Sequence, residues 1–87
     1  MAVVWIPSMM RDLTSGRDYV RVRGATVADL IDEMETAYPG VKERLLPRGR
    51  FAPGFMVTVD GQRALRVLQE PVAEASEVRF LPAMAGG

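Results

Sequence analysis

The sequence contains no cysteine and no histidine. Without cysteine there is no disulfide framework, no thiol nucleophile and no thiolate ligand for zinc or an iron–sulfur cluster. Without histidine, the commonest general base and the commonest metal ligand are both missing. No apolar run approaches the roughly 20 residues that cross a bilayer. The opening Met-Ala-Val-Val-Trp-Ile-Pro lacks the charged start of a signal peptide and reads as a strand, so a cytoplasmic location is expected. Net charge is also missing, with 11 basic residues against 11 acidic ones. A neutral chain has no global attraction to nucleic acid or to an anionic membrane, and neither is expected as a partner. Among the bases lysine is nearly absent: Lys42 stands alone among arginines.

What remains is enough for one domain. A chain of 87 residues buries roughly 60–65% of its unfolded surface, which gives one modest core and no deep internal cleft. Val3-Val4-Trp5-Ile6 is a β-branched and aromatic run stopped by Pro7, and predicts a buried first strand. Residues 18–23 alternate, with Val20 and Val22 on one face and Tyr19, Arg21 and Arg23 on the other, so the second strand has one wet side. Thr26 is a candidate helix N-cap with Asp29 three residues on, and Val27, Leu30, Ile31, Met34 and Tyr38 recur at helical spacing up to Pro39-Gly40. Asp32, Glu33 and Glu35 fall outside that stripe and read as its solvated face. Val41 to Leu46 predicts a short turn of helix and residues 47–54 a loop. Residues 55–60 form a strand closed by Asp60-Gly61, a strong hairpin signal. A return strand over residues 63–67, an irregular stretch over 68–76 and a last strand over 77–81 complete the order β-β-α-β-β-β. One helix across a mixed sheet is an α+β two-layer design. Val20, Val22, Leu30, Ile31, Met34, Val57, Val59, Val78 and Phe80 form the expected core, joined by Val3 and Trp5 or by their alternates Val4 and Ile6. A metal site built only from the helix carboxylates is not expected.

The sequence ends Phe80-Leu81-Pro82-Ala83-Met84-Ala85-Gly86-Gly87. Two terminal glycines carry no Cβ, thread a narrow channel and leave a carboxylate unshielded. The expected organisation is therefore a body over residues 1–82 and a flexible tail over 83–87. Five extended residues beyond Pro82 reach about 17 Å, enough to enter the active site of a docked enzyme.

The element order, the Asp60-Gly61 hairpin, the segment Glu77-Val78-Arg79-Phe80-Leu81-Pro82-Ala83 and the terminal Ala85-Gly86-Gly87 together resemble the ubiquitin-like, β-grasp sulfur carriers of the MoaD/ThiS family. Ile6-Pro7, Leu13-Thr14-Ser15-Gly16, Tyr38-Pro39-Gly40, Arg44-Leu45 and the "FLPAMAGG" end look most like the carriers of the CysO type, which serve cysteine biosynthesis. Many members have a Gly-Asp pair before the last strand; this chain has Ala75-Ser76-Glu77, with Glu77 as the nearest acidic side chain. The resemblance implies a β-grasp fold and a protein co-substrate rather than an enzyme. It implies that an E1-like partner, using ATP and a sulfur donor, adenylates the Gly87 carboxylate and converts it to a thiocarboxylate. No bound cofactor is implied for the carrier itself. The acceptor would be a biosynthetic synthase: a PLP-dependent cysteine synthase first, a molybdopterin or thiamine enzyme next. A protein that becomes an activated acyl group has reason to carry few amines, although codon usage alone accounts for the scarcity of lysine.

Within this scheme Gly86 and Gly87 carry the chemistry, Ala83 and Ala85 keep the tail slim, and Ala83, Met84 and Ala85 are expected to contact the partner. Strand alternation sets Arg21, Arg23, Met56, Thr58, Arg79 and Leu81 on the sheet face opposite the helix, an apolar centre with a charged rim and a candidate docking patch. Two other readings use the same residues: a ubiquitin-like modifier joined to lysines through Gly87, and a β-grasp interaction domain whose tail does nothing.

Overall fold

Strand alternation sets the architecture. The computed structural model describes residues 1–82, and Ala83, Met84, Ala85, Gly86 and Gly87 lie outside them. Strands β1 (Ala2–Trp5), β2 (Tyr19–Val22), β3 (Phe55–Val59), β4 (Gln62–Arg63) and β5 (Glu77–Pro82) form one sheet in the order β2-β1-β5-β3-β4. Helix α1 (Val27–Ala37) covers one face, and a short helix α2 (Val41–Leu45) follows it. β1 and β5 run parallel at the centre, and the other pairs are antiparallel. This is the expected mixed-sheet, β-grasp layout.

The register Val22–Ala2, Val20–Val4, Val4–Val78, Val78–Val59 and Phe80–Val57 brings one apolar row from every long strand to the helix side. Val27, Leu30, Ile31 and Met34 of α1 close over that row and are fully buried. Each such side chain contributes roughly 1.5–3 kcal/mol of transfer free energy. Of the two alternatives for the first strand, Val4 and Ile6 face the core with Ala2, while Val3 and Trp5 are half-buried on the outer face.

Local chemistry sets the element ends. The Thr26 hydroxyl accepts from Asp29 N–H at 3.3 Å, and Asp29 Oδ2 accepts from Ala25 N–H at 3.1 Å, a capping box displaced by one residue. Just before it, a Cβ on Gly24 would meet the Asp29 Cβ at 2.7 Å, so only glycine lets β2 turn this tightly into α1. Glu35 does not stand on a solvated face as expected: its carboxylate accepts from Gly40 N–H and, at 2.8 Å, from Lys42 N–H at the start of α2. Asp32 pairs with Lys42 Nζ at 2.8 Å. In the long β1–β2 connection, Met10 and Thr14 are fully buried and hold the loop to the core.

Two further expectations need correction. The return strand predicted over 63–67 is only Gln62–Arg63; Ala64 makes one further bond to Val57, and Val67–Gln69 is a 3-10 turn. The chain leaves β3 because residues 70–72 are needed elsewhere: Glu70 C=O accepts from Val27 N–H and Val72 N–H donates to Ala25 C=O, which ties them to the start of α1. The second correction concerns the turn before β5. The acidic group there is Asp60, not Glu77. Asp60 Oδ1 accepts from Glu77 N–H and Oδ2 from the Ser76 hydroxyl, both at 2.8 Å.

Ala75, in the same turn, is exposed and has φ +65°. The left-handed region costs a residue with a Cβ roughly 1–2 kcal/mol. Ala75→Gly removes that strain while adding freedom to the unfolded chain worth about 0.4–1 kcal/mol. The expected net effect is stabilisation by about 0.5–1 kcal/mol, read as a rise of a few degrees in Tm on thermal unfolding.

Candidate functional site

The described chain ends in the middle of the sheet, not at its rim. β5 pairs with β1 on one side and β3 on the other, and its last two residues oppose Met56 and Phe55. β5 is therefore held by ladders on both sides as far as Arg79, and from Phe80 to Pro82, where the described chain stops, by β3 alone. At this end a groove of about 280 Å³ opens between β5, β3 and the stretch after β1, lined by Trp5, Pro7, Met9, Phe55, Leu81 and Pro82 among others. Met9 is 60% exposed and Leu81 38% exposed, so the groove has an apolar lip.

The outer face is built in rows by the register. Leu81 lies opposite Met56, and the next row reads Tyr19, Trp5, Arg79, Thr58 and Arg63 across all five strands. The Arg79 guanidinium lies 4.6 Å from the Trp5 ring centroid, within cation–π range. Glu77 Oε1 accepts from Trp5 Nε1 at 3.0 Å and lies 3.5 Å from Arg79 Nη2. The Trp5 and Tyr19 rings are 5.3 Å apart. Trp5 is thus fixed on three sides by Tyr19, Glu77 and Arg79.

The structure brings together Met56, Thr58, Arg79 and Leu81 of the expected patch, next to the end of β5. Arg21 and Arg23 belong to the same face but stand on the outermost strand and just beyond it, with Tyr19, Trp5 and Val3 between them and Arg79. Arg21 sits 5.8 Å over the Tyr19 ring. Sequence reasoning missed Trp5 and Met9 as members of this surface. The signal for Trp5 was present, since placing Val4 and Ile6 inside obliges Trp5 to face out. For Met9 there was none, because its exposure depends on the path of a loop. The tail residues Ala83 to Gly87, on which the expected chemistry falls, lie outside the described residues.

No group of three or more His, Cys, Asp or Glu stands in metal-binding proximity among the described residues, and none of the described helices is long and apolar enough to cross a membrane. The features that stand out are a clamped central strand, an apolar groove at its end and a face carrying an ordered tryptophan. They define the class of a ubiquitin-like β-grasp body that presents its C-terminal strand.

Comparisons with known proteins agree. The model of the ThiS family matches residues 4–87, and the chain belongs to that family. It is 32% identical to the sulfur carrier protein CysO of Mycobacterium tuberculosis over 97% of this chain and 96% of that protein. Among solved structures, the Amycolatopsis orientalis BexX/CysO complex contains a chain that superposes with a TM-score of 0.89 at 31% identity, with full coverage of both. SAMP1 from Haloferax volcanii superposes with a TM-score of 0.77 at 26% identity, covering 99% of this chain and 98% of that one. The curated relatives are sulfur carriers rather than enzymes.

The Asp60 clamp at the start of β5 gives a pH signature. Hydrogen bonds from the Glu77 backbone and then the Ser76 hydroxyl hold the Asp60 pKa below its ordinary 3.8. A carboxyl whose folded pKa is lowered contributes stability above its unfolded pKa, and loses it as pH falls through the folded one. Asp60→Asn keeps a residue that tolerates the φ of +51° but removes the charge. Urea unfolding is expected to show the variant less stable than wild type at pH 7. The gap should close only in acid, below the unfolded value of about 3.8.

Proposed function

We propose that this protein is a sulfur carrier whose Gly87 carboxylate is the site of chemistry. A carboxylate is a poor electrophile, so an E1-like enzyme first joins it to the α-phosphorus of ATP and pyrophosphate leaves. A sulfur nucleophile then attacks the acyl carbon, AMP departs with the electron pair of the broken C–O bond, and a thiocarboxylate remains on Gly87. The observation that carries this reading is the family match, which runs through residue 87. The body supports it by ending in a central strand that β1 holds as far as Arg79 and β3 holds through Pro82, which would give the tail a fixed origin.

Leu81, Met56 and Arg79, with Trp5 behind them, would form the docking centre for the activating enzyme and for the acceptor. The tail residues Ala83, Met84, Ala85 and Gly86 would fill the partner's channel. A cysteine synthase-type acceptor is favoured by the likeness to proteins named CysO; a molybdopterin or thiamine enzyme comes next. The only lysine suits a protein that carries an activated acyl group. A hydrogen bond and a charge contact with Asp32 raise the Lys42 pKa, in the same direction as the preference for the charged form that any lysine has at neutral pH. A second reading, conjugation of Gly87 to lysines of other proteins, draws support from the likeness to SAMP1, a small archaeal modifier protein.

Intact mass spectrometry of the protein with an E1-like enzyme, ATP and sulfide separates the readings. A gain equal to replacing one oxygen by sulfur, abolished by deleting Gly87, is expected of the carrier. Lysine-linked adducts on other proteins would mark the modifier, and an unchanged mass with several competent activating enzymes would leave only an interaction domain. Gly86→Ala is expected to slow thiocarboxylate formation on the order of a hundredfold, because a misplaced acyl group loses its alignment. Leu81→Asp is expected to raise KM for the carrier with little change in kcat, the pattern of lost docking contact.

A further inference from the structure

The sheet has two edges, and only one is long enough to pair. β4 offers two residues, whereas β2 offers four. Ile6 N–H donates to Asp18 C=O at 2.8 Å, and with the register Trp5–Tyr19 and Val4–Val20 this fixes the alternation along β2. Asp18, Val20 and Val22 turn their backbone groups toward β1, while Tyr19 and Arg21 turn theirs outward. Among the described residues no strand pairs with that outward edge.

A groove of about 750 Å³ runs beside this edge on the helix side, lined by Val20, Val22, Met34, Ala37, Tyr38 and Glu33 among others. On the other side of the edge stand the exposed side chains of Tyr19, Arg21 and Arg23. Nearby Asp18 lies 3.7 Å from Arg11, and Glu74 is engaged by the Met1 amino group. Glu33 in the groove offsets one charge, and Arg17, Arg21 and Arg23 still leave the strip net positive.

We propose that the β2 edge accepts an extended acidic segment of a partner protein as a sixth strand. Main-chain hydrogen bonds to Tyr19 and Arg21 would fix the segment. Its alternate side chains would fall into the β2–α1 groove and suit apolar residues; the intervening ones would lie beside Arg21 and Arg23 and suit Asp or Glu. A second copy of this chain is the wrong occupant, because pairing β2 with β2 sets arginines against arginines on one face. The site is separated from β5 by β1, so a segment bound there leaves the tail exit and the Trp5–Leu81 surface uncovered. The proposal does not depend on the sulfur-carrier reading.

The probe is a blocked octapeptide alternating valine with aspartate or glutamate, titrated into the full chain and followed by backbone amide NMR and hydrogen exchange. Saturation at or below millimolar peptide is expected, with exchange at the Tyr19 and Arg21 amides slowed roughly tenfold or more and shifts extending to Ala37 and Tyr38. Methylating alternate peptide nitrogens should remove the effect. Arg21→Glu combined with Arg23→Glu should weaken the acidic peptide roughly tenfold or more and bind a peptide with lysine in place of the acids. That rescue shows the variant is folded. The proposal is overturned by absence of protection at millimolar peptide, by shifts centred on Trp5 and Leu81, or by acidic-peptide binding that survives the charge reversal. Concentration-dependent protection of the same amides without peptide would also overturn it, in favour of a second copy.

Discussion

The parallel pairing of β1 with β5 is the constraint on which the rest depends. Parallel neighbours cannot be joined by a tight turn, so the chain between them must cross over, and α1 lies in that crossover. Once α1 covers one face, the other is left to solvent and to partners. With β5 at the centre, β2 and β4 become the two rims. The tail's origin, the uncovered face and the open edge all follow from that one pairing.

The turn entering β5 shows how such a constraint tolerates local substitution. A glycine followed by an aspartate would supply a left-handed residue and a carboxylate in sequence. Here the two needs are met by separate residues: Ala75 adopts the left-handed conformation, and Asp60, from the β3–β4 hairpin, supplies the carboxylate across space. Asp60 and Gly61 both have positive φ, as a two-residue hairpin turn requires, and the aspartate is well suited to that backbone. One side chain therefore closes the hairpin and fastens the start of the last strand. Glu77, freed from that duty, turns outward to orient Trp5 and Arg79.

Most of the fold was legible because it rests on periodicity. The alternation over residues 18–23 and 77–81 placed every core residue of those strands, and the helical stripe from Val27 to Met34 named the buried face of α1. What alternation could not reach were contacts between distant segments. The shortness of β4 depends on bonds from Glu70 and Val72 to the start of α1. The engagement of Glu35 depends on the geometry of the α1–α2 turn. For the candidate site, the face of Met56, Arg79 and Leu81 was readable from parity alone. Its separation from Arg21 and Arg23 required the strand order, which parity does not contain.

That separation changes how the surface is understood. Arginines at 21, 23 and 79 share a face, yet two of them sit at the sheet's rim and one at its centre. The central arginine is tied to a tryptophan and a glutamate and is largely committed to ordering its neighbours. The rim arginines flank backbone groups that point away from the sheet and have no partner strand among the described residues. Equal charge on one face thus divides into an apolar surface beside the exit of β5 and a basic border along β2. Under the proposed function, contact along the border would leave β5, the strand that precedes the tail, unobstructed for an enzyme that takes the chain's end, because β1 stands between them.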